Sequence, residues 1–134
     1  GASRYFKGGV ISYANDLKSG LLGVSRRLID RQGAVSQGCA RAMARGVRHL
    51  TSASLGLAVT GIAGPEGGSP QKPVGLVFIA LAGPRGNLAA ARFRFSGDRD
   101  AVRARAVAAA LDLLRRQLLK ASNGGRRKGA LSFF

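Results

Sequence analysis

The chain has 134 residues, 46% of them apolar and 21% charged, which fits one soluble-type domain with a core of its own. One cysteine and one histidine exclude an internal disulfide and a Cys/His metal cluster. Twenty-two Lys and Arg against six Asp and Glu give a net charge of +16, but the cations are scattered and only Arg126-Arg127-Lys128 forms a run. No aromatic-basic strand signature or helix-turn-helix pattern accompanies them, so neither specific nucleic-acid binding nor a membrane partner is expected. The longest apolar run, Val74 to Ala82, is too short to cross a bilayer, and no leader is visible, so a cytoplasmic location is the expectation.

In chain order, Gly8 to Ala14 alternates and predicts a strand. Asn15 then offers an N-cap for a short helix, Asp16 to Leu22, closed by Gly23. A second short helix is expected from Ser25 to Arg31, broken by Gly33. Ser36 caps a longer helix to about Thr51, with Val35, Cys39, Met43, Val47 and Leu50 as its apolar stripe. Arg41, Arg45 and Arg48 form a separate stripe that reads as a solvated face.

Leu55 to Gly61 is a near-continuous apolar run, the signature of a strand buried on both faces. Ala63 to Pro73 is too rich in Gly and Pro to continue it. Val74 to Ala82 is the second buried strand, and Gly83 to Asn87 a hairpin-like turn. Leu88 to Phe95 then alternates, with Ala89, Ala91, Phe93 and Phe95 on one face, as an antiparallel strand does near a sheet edge. Asp98 caps a last helix running to about Ala121, apolar along Val102, Ala106, Ala109, Ala110, Leu113, Leu114 and Leu118 and stopped by Asn123-Gly124-Gly125. Residues 122–134 are expected to be a basic, disordered tail.

These elements imply an α/β fold, a three-layer α/β/α sandwich on a mixed, mostly parallel sheet with one antiparallel strand. Two strands buried on both faces need more helical cover than two long helices supply, so one side of the sheet is expected to be incompletely covered. Val10, Ile11, Leu57, Val59, Val77 and Ile79 are the residues that would show it.

Three constellations carry chemistry. The Gly-rich loop Thr60 to Pro70 follows a buried strand, where α/β sheets place ligands and where bare backbone N–H groups suit an anion. It fits neither the P-loop nor the dinucleotide fingerprint, and a long turn is the bland alternative. Tyr13-Ala14-Asn15-Asp16-Leu17-Lys18 spans a strand-to-helix junction. The positive end of the helix dipole disfavours an ammonium at Lys18, which suits a Lys that takes a proton from a hydroxyl nucleophile; an ordinary surface Lys is the alternative. Arg99 and Arg103 lie four apart at the start of the last helix, spaced to meet one phosphate or to stand as two solvated cations.

Seven blocks occur in order: Tyr5-Phe6-Lys7-Gly8-Gly9-Val10, Tyr13-x-Asn15-x-x-Lys18, Leu22-Gly23-Val24, Gly33-Ala34-Val35-Ser36, Thr60-Gly61-Ile62-Ala63-Gly64-Pro65, Lys72 to Val77 and Gly97-Asp98-Arg99. Together, from residue 1 to about 119, they resemble the CinA C-terminal family. The resemblance implies an α/β/α sandwich that hydrolyses the carboxamide of nicotinamide mononucleotide to nicotinate mononucleotide and ammonia, in pyridine nucleotide salvage. It implies Tyr13 and Lys18 as catalytic residues and Thr60, Gly61, Gly64 and Arg103 as substrate-binding ones. No metal or organic cofactor is required, and a homo-oligomer is compatible with it. The family's nucleophilic Ser stands in a Glu-Ser-Cys-Thr-Gly-Gly motif ahead of the first block, and no such motif occurs here. Residues 1–121 are therefore expected to be an N-terminally truncated amidase domain. The alternative is a non-catalytic remnant that holds a nucleotide or a partner.

Overall fold

Three strands in sequence order make one antiparallel meander in the computed structural model, which describes residues 1–126. After a 3-10 turn at Ala2–Arg4 come three helices, α1 (Asn15–Gly20), α2 (Arg26–Gln32) and α3 (Gln37–Thr51). The strands β1 (Gly56–Gly61), β2 (Leu76–Gly83) and β3 (Gly86–Arg94) follow, and α4 (Arg99–Arg126) closes the chain.

Successive strand residues point to opposite faces, and the two apolar clusters divide by that parity. Ala58, Ala80 and Ala82 turn toward α3, where Cys39, Ala40 and Ala44 are fully enclosed. Val77 and Ile79 turn the other way, toward Val102, Ala106 and Ala110 of α4. A helix thus lies on each face, and β2 is buried on both.

Small residues let α3 come close. A Cβ on Gly56 would lie 2.1 Å from the Ala44 carbonyl oxygen, and one on Gly46 would lie 1.9 Å from that of Leu22. Either would force the backbones apart. Ser36 caps α3, its Oγ accepting the Cys39 N–H at 3.1 Å. Asp98 caps α4, its Oδ1 accepting from the Ala101 N–H at 2.9 Å.

The mostly parallel sheet expected from the sequence is not observed: both pairings are antiparallel. Continuous apolarity reports burial on two faces and says nothing of strand direction. Parallel neighbours need a crossover, usually helical, and no helix stands between β1, β2 and β3.

Gly8 to Ala14 does not form a strand either. Its alternation is real, but no described strand lies alongside to take its hydrogen bonds, and Ile11 is 94% exposed. Asn15 begins α1 instead of capping it; Ala14 takes the cap position, with no side-chain bond. At the other end α4 continues through Asn123-Gly124-Gly125 to Arg126. The rest of the expected tail, residues 127–134, lies outside the described residues.

Cover is uneven, as the shortage of helices implied. The first half of α4 packs on the sheet, while Leu111, Leu118 and Leu119 are half exposed or more. Val59 of β1 is 40% exposed, whereas Val77 and Ile79 are enclosed.

Candidate functional site

The carboxyl end of β1, the N-terminus of α3 and the loop between β1 and β2 meet in one region. Thr60, the last inward-facing residue of β1, is buried and its Oγ donates to the Ala34 carbonyl at 2.8 Å. Two residues on, the Ser36 hydroxyl donates to the Gly33 carbonyl at 2.9 Å while capping α3. The turn that leads into α3 is therefore pinned from the strand and from its own cap.

Lys18 enters from α1. It is one of the few buried charged or polar side chains, 6% exposed, and its Nζ donates to the carbonyls of Ser12 (2.7 Å) and Tyr13 (2.9 Å). An ammonium has three protons to donate, so two are directed and one is left over. Lys72 comes from the far end of the Gly-rich loop, and its Nζ donates to the Gln32 carbonyl. Burial pushes the Cys39 thiol up from its ordinary value of 9.0, and the charges of Lys18 and Lys72 pull it the other way. Both ammonium groups therefore act on the same buried point at the first turn of α3. No ion pair to Lys18 or Lys72 is found among the described residues; those present join Arg to Asp.

The loop is held at several points. Ile62 accepts from the Gly75 N–H at 2.7 Å and donates to Leu76 at 2.9 Å. Ser69 and Lys72 exchange two bonds, Ser69 N–H to the Lys72 carbonyl and Lys72 N–H to Ser69 Oγ. Gly64 has φ +82°, and a Cβ there would lie 2.5 Å from Val74 Cγ1, so the position requires glycine twice over. Gly61 is fixed by space: a Cβ would lie 2.8 Å from the Leu76 carbonyl oxygen.

Among the residues singled out in the sequence, Thr60 bonds the turn before α3, Gly61 and Gly64 lie in the strand end and loop that follow it, and Lys18 is buried on the carbonyls of Ser12 and Tyr13. The phenol of Tyr13 is turned out, the residue being 90% exposed, and it is the Tyr13 backbone carbonyl that meets Lys18. Arg103 is solvent-facing, with Nη1 3.7 Å from Asp100 Oδ1. Arg99, one turn earlier, donates from Nη1 to the Gly64 carbonyl at 3.0 Å. Sequence reasoning did not place Lys72 in the site. Its only signal was its position at the end of the Gly-rich loop, and its reach to Gln32, forty residues away in sequence, is a product of the tertiary fold.

A helix-flanked antiparallel sheet with a buried Lys and a Gly-rich loop at one strand end defines a mixed α/β domain. The model of the CinA C-terminal domain matches residues 1–118, and the chain belongs to that family. It is similar to a CinA-like protein of Geobacter sulfurreducens, 54% identical over 121 residues, which cover 90% of this chain and 29% of the relative. A CinA-like protein of Gloeobacter violaceus is 53% identical over 121 residues, 89% of this chain and 28% of that one.

Solved structures agree. A competence/damage-inducible protein of Agrobacterium tumefaciens superposes with a TM-score of 0.76 at 40% identity, covering 78% of this chain and 64% of that one. A CinA superfamily protein of Klebsiella pneumoniae superposes with a TM-score of 0.79 at 36% identity, covering 84% and 69%. The chain spans less than a third of the curated relatives' length and about two thirds of these solved ones.

Proposed function

We propose that this domain serves the deamidation of nicotinamide mononucleotide, an amide hydrolysis that yields nicotinate mononucleotide and ammonia. The observation that carries the reading is Lys18: a buried side chain whose Nζ is fixed on two backbone carbonyls. Membership of the CinA C-terminal family supports the reading; the reaction and the substrate are inferred from the resemblance.

On this reading Lys18 gives its third proton to water and, as the amine that keeps both carbonyl bonds, takes the proton of a serine hydroxyl as that oxygen attacks the carboxamide carbon. The tetrahedral centre collapses, the proton goes to the departing nitrogen, and ammonia leaves. Water then hydrolyses the acyl ester to the carboxylate and restores the hydroxyl. The backbone of Gly61 to Gly64 lines the nucleotide pocket, with Thr60 holding the turn behind it. Arg103 meets the phosphate, and Arg99 steadies the loop through Gly64. Tyr13 contributes its carbonyl to Lys18, and its phenol meets substrate from the solvent side. No step calls for a metal or an organic cofactor.

The serine of the Glu-Ser-Cys-Thr-Gly-Gly motif is the nucleophile this scheme requires, and the motif is absent from the 134 residues. That one observation favours a second reading, in which this polypeptide alone holds the nucleotide without turning it over. Titration calorimetry with nicotinamide mononucleotide and with its dephosphorylated riboside tests the pocket common to both. Preference for the nucleotide by about ten- to a hundred-fold, lost in Arg103→Ala, is expected if a charged hydrogen bond holds the phosphate. Equal binding of both ligands would remove Arg103 from the site. Ammonia release by the 134-residue chain separates the two readings: none is expected, and turnover abolished by Lys18→Ala would place the nucleophile within this sequence.

A further inference from the structure

β3 is the last strand of the meander, and it pairs with β2 alone among the described residues. Which of its residues face the open side follows from Phe95, whose N–H donates to the Gly75 carbonyl at 2.9 Å and so points toward β2. In an antiparallel ladder that direction alternates, so Phe93, Ala91 and Ala89 bond inward across Val77, Ile79 and Leu81. Ala90, Arg92 and Arg94 therefore aim N–H and C=O outward, at the edge. A register shift between Leu81 and Ala82 lies at the turn end and leaves Ala89 to Arg94 evenly paired.

The side chains of this edge sort by face. Arg92 and Arg94 share the face of Ala90, which packs with the α3 cluster, and both are exposed. Two strand steps set them about 7 Å apart. On the other face Phe93 and Phe95 stack with ring centroids 5.2 Å apart, half-buried beside the α4 cluster. The arginines at the start and middle of α4 are occupied, Arg99 and Arg105 on carbonyls and Arg103, Arg115 and Arg116 on carboxylates. Arg92 and Arg94 enter no ion pair among the described residues, nor do Arg41 and Arg45, exposed on the helix that covers the same face. An edge carrying two such cations repels a strand of its own sign and attracts one of the other.

We infer that the free edge of β3 is an interaction surface for an acidic, extended segment of a partner protein, which adds to the sheet as a strand outside β3. Main-chain bonds to Ala90, Arg92 and Arg94 give such a segment its register, and alternate side chains give its specificity. The segment carries Asp or Glu opposite Arg92 and Arg94, where each guanidinium can hold a carboxylate through two N–H groups. Between them it carries apolar side chains, laid beside Ala91 and the stacked rings. A second copy of this chain fits worse. Antiparallel self-pairing centred on Phe93 sets Arg92 of one molecule against Arg94 of the other, and like charges directly opposite are unfavourable. A net charge of +16 also steers acidic partners toward the chain and its own copies away. The inference stands independently of the proposed activity, since it uses only the β3 edge and its charges.

The test mixes the purified 134-residue chain with synthetic peptides of about nine residues, a long strand's length, in which Glu alternates with Val or Lys alternates with Val. Amide hydrogen exchange is read residue by residue. The Glu-Val peptide is expected to slow exchange at Ala90, Arg92 and Arg94 by about tenfold or more, while Ala89, Ala91 and Phe93, already bonded to β2, change little. The Lys-Val peptide should have no effect. Exchanging the charges, Arg92→Glu with Arg94→Glu, should reverse the preference. Arg92→Gln with Arg94→Gln should abolish the response to Glu-Val and serves if the charge-exchanged chain does not fold. No slowing with the Glu-Val peptide would overturn the inference. So would equal slowing by a peptide of the same composition with its Glu residues grouped at one end, or by an oligothymidylate of similar length, which has the charge but cannot extend a sheet. Protection that appears without peptide and rises with protein concentration would make a second copy the occupant and overturn it too.

Discussion

Arg99 of α4 donates to the carbonyl of Gly64 across 3.0 Å, tying the first turn of one helix to the loop that leaves β1. The bond joins two regions 35 residues apart and fixes a glycine that has no side chain by which to be held. Replacing Arg99 with Ala should lower unfolding free energy by about 1 kcal/mol, since the guanidinium is solvent-facing and its bond is only partly shielded. The larger effect should be local. Amide exchange in residues 63–68 should quicken while β2 is unchanged, and Arg99→Lys should restore only part of it.

Thr60→Val tests the pin between β1 and the turn before α3. The substitution keeps the shape of the side chain but deletes the donor to the Ala34 carbonyl, which then lacks its partner. A cost of about 1–3 kcal/mol is expected in chemical denaturation, the usual result of stranding a buried polar group. Thr60→Ser should recover most of it.

Lys18 and Tyr13 should separate cleanly. In Lys18→Met the carbonyls of Ser12 and Tyr13 lose their donor, and the segment before α1 loses its anchor. Limited proteolysis within residues 7–13 should accelerate several-fold in that variant. Tyr13→Phe should leave the pattern unchanged, because only the backbone of Tyr13 takes part.

Cys39 gives a pH signature. Burial holds its thiol protonated to higher pH in the folded chain than in the unfolded one, where the ordinary value is 9.0. Above that value the unfolded state binds fewer protons than the folded state, so unfolding becomes easier as pH rises. The stabilisation is complete below the unfolded value and is lost on going up through the folded one. Urea unfolding from about pH 8 to about pH 10 should show this loss, and subtracting the same series for Cys39→Ala should isolate it from the lysines and tyrosines that titrate nearby. A difference flat in pH would show that Cys39 is not held neutral by the fold.

Ser19 Oγ is buried without a hydrogen-bond partner among the described residues. Ser19→Ala should therefore stabilise the chain, by up to about 1 kcal/mol in thermal or urea unfolding. A loss of stability of that size would mean that the hydroxyl is bonded in solution.

Much of this is legible in the amino-acid sequence. Caps at Ser36 and Asp98, the apolar stripes of α3 and α4 and the strands β1 and β2 all rest on local rules, and each stands within two residues or so of its expected start, although only β2 is buried on both faces as expected of the two. Lys18 and Thr60 stood out because motif blocks name them. Strand direction was not legible, because β2 has the same composition whether its neighbours run with it or against it. Gly8 to Ala14 misled for a related reason: alternation describes a segment fit to pair, and pairing needs a second segment. Lys72 was invisible as a site residue because its partner, Gln32, lies forty residues away.

The place of β1 in the sheet has a bearing on how the chain behaves in solution. β1 pairs with β2 alone among the described residues, which leaves its other edge open. Such edges invite molecules to pair with one another. A net charge of +16 opposes that encounter, and mobile ions weaken the opposition. Preparations should accordingly stay monodisperse at low ionic strength and self-associate as salt is raised, the reverse of a chain whose association is held together by ion pairs.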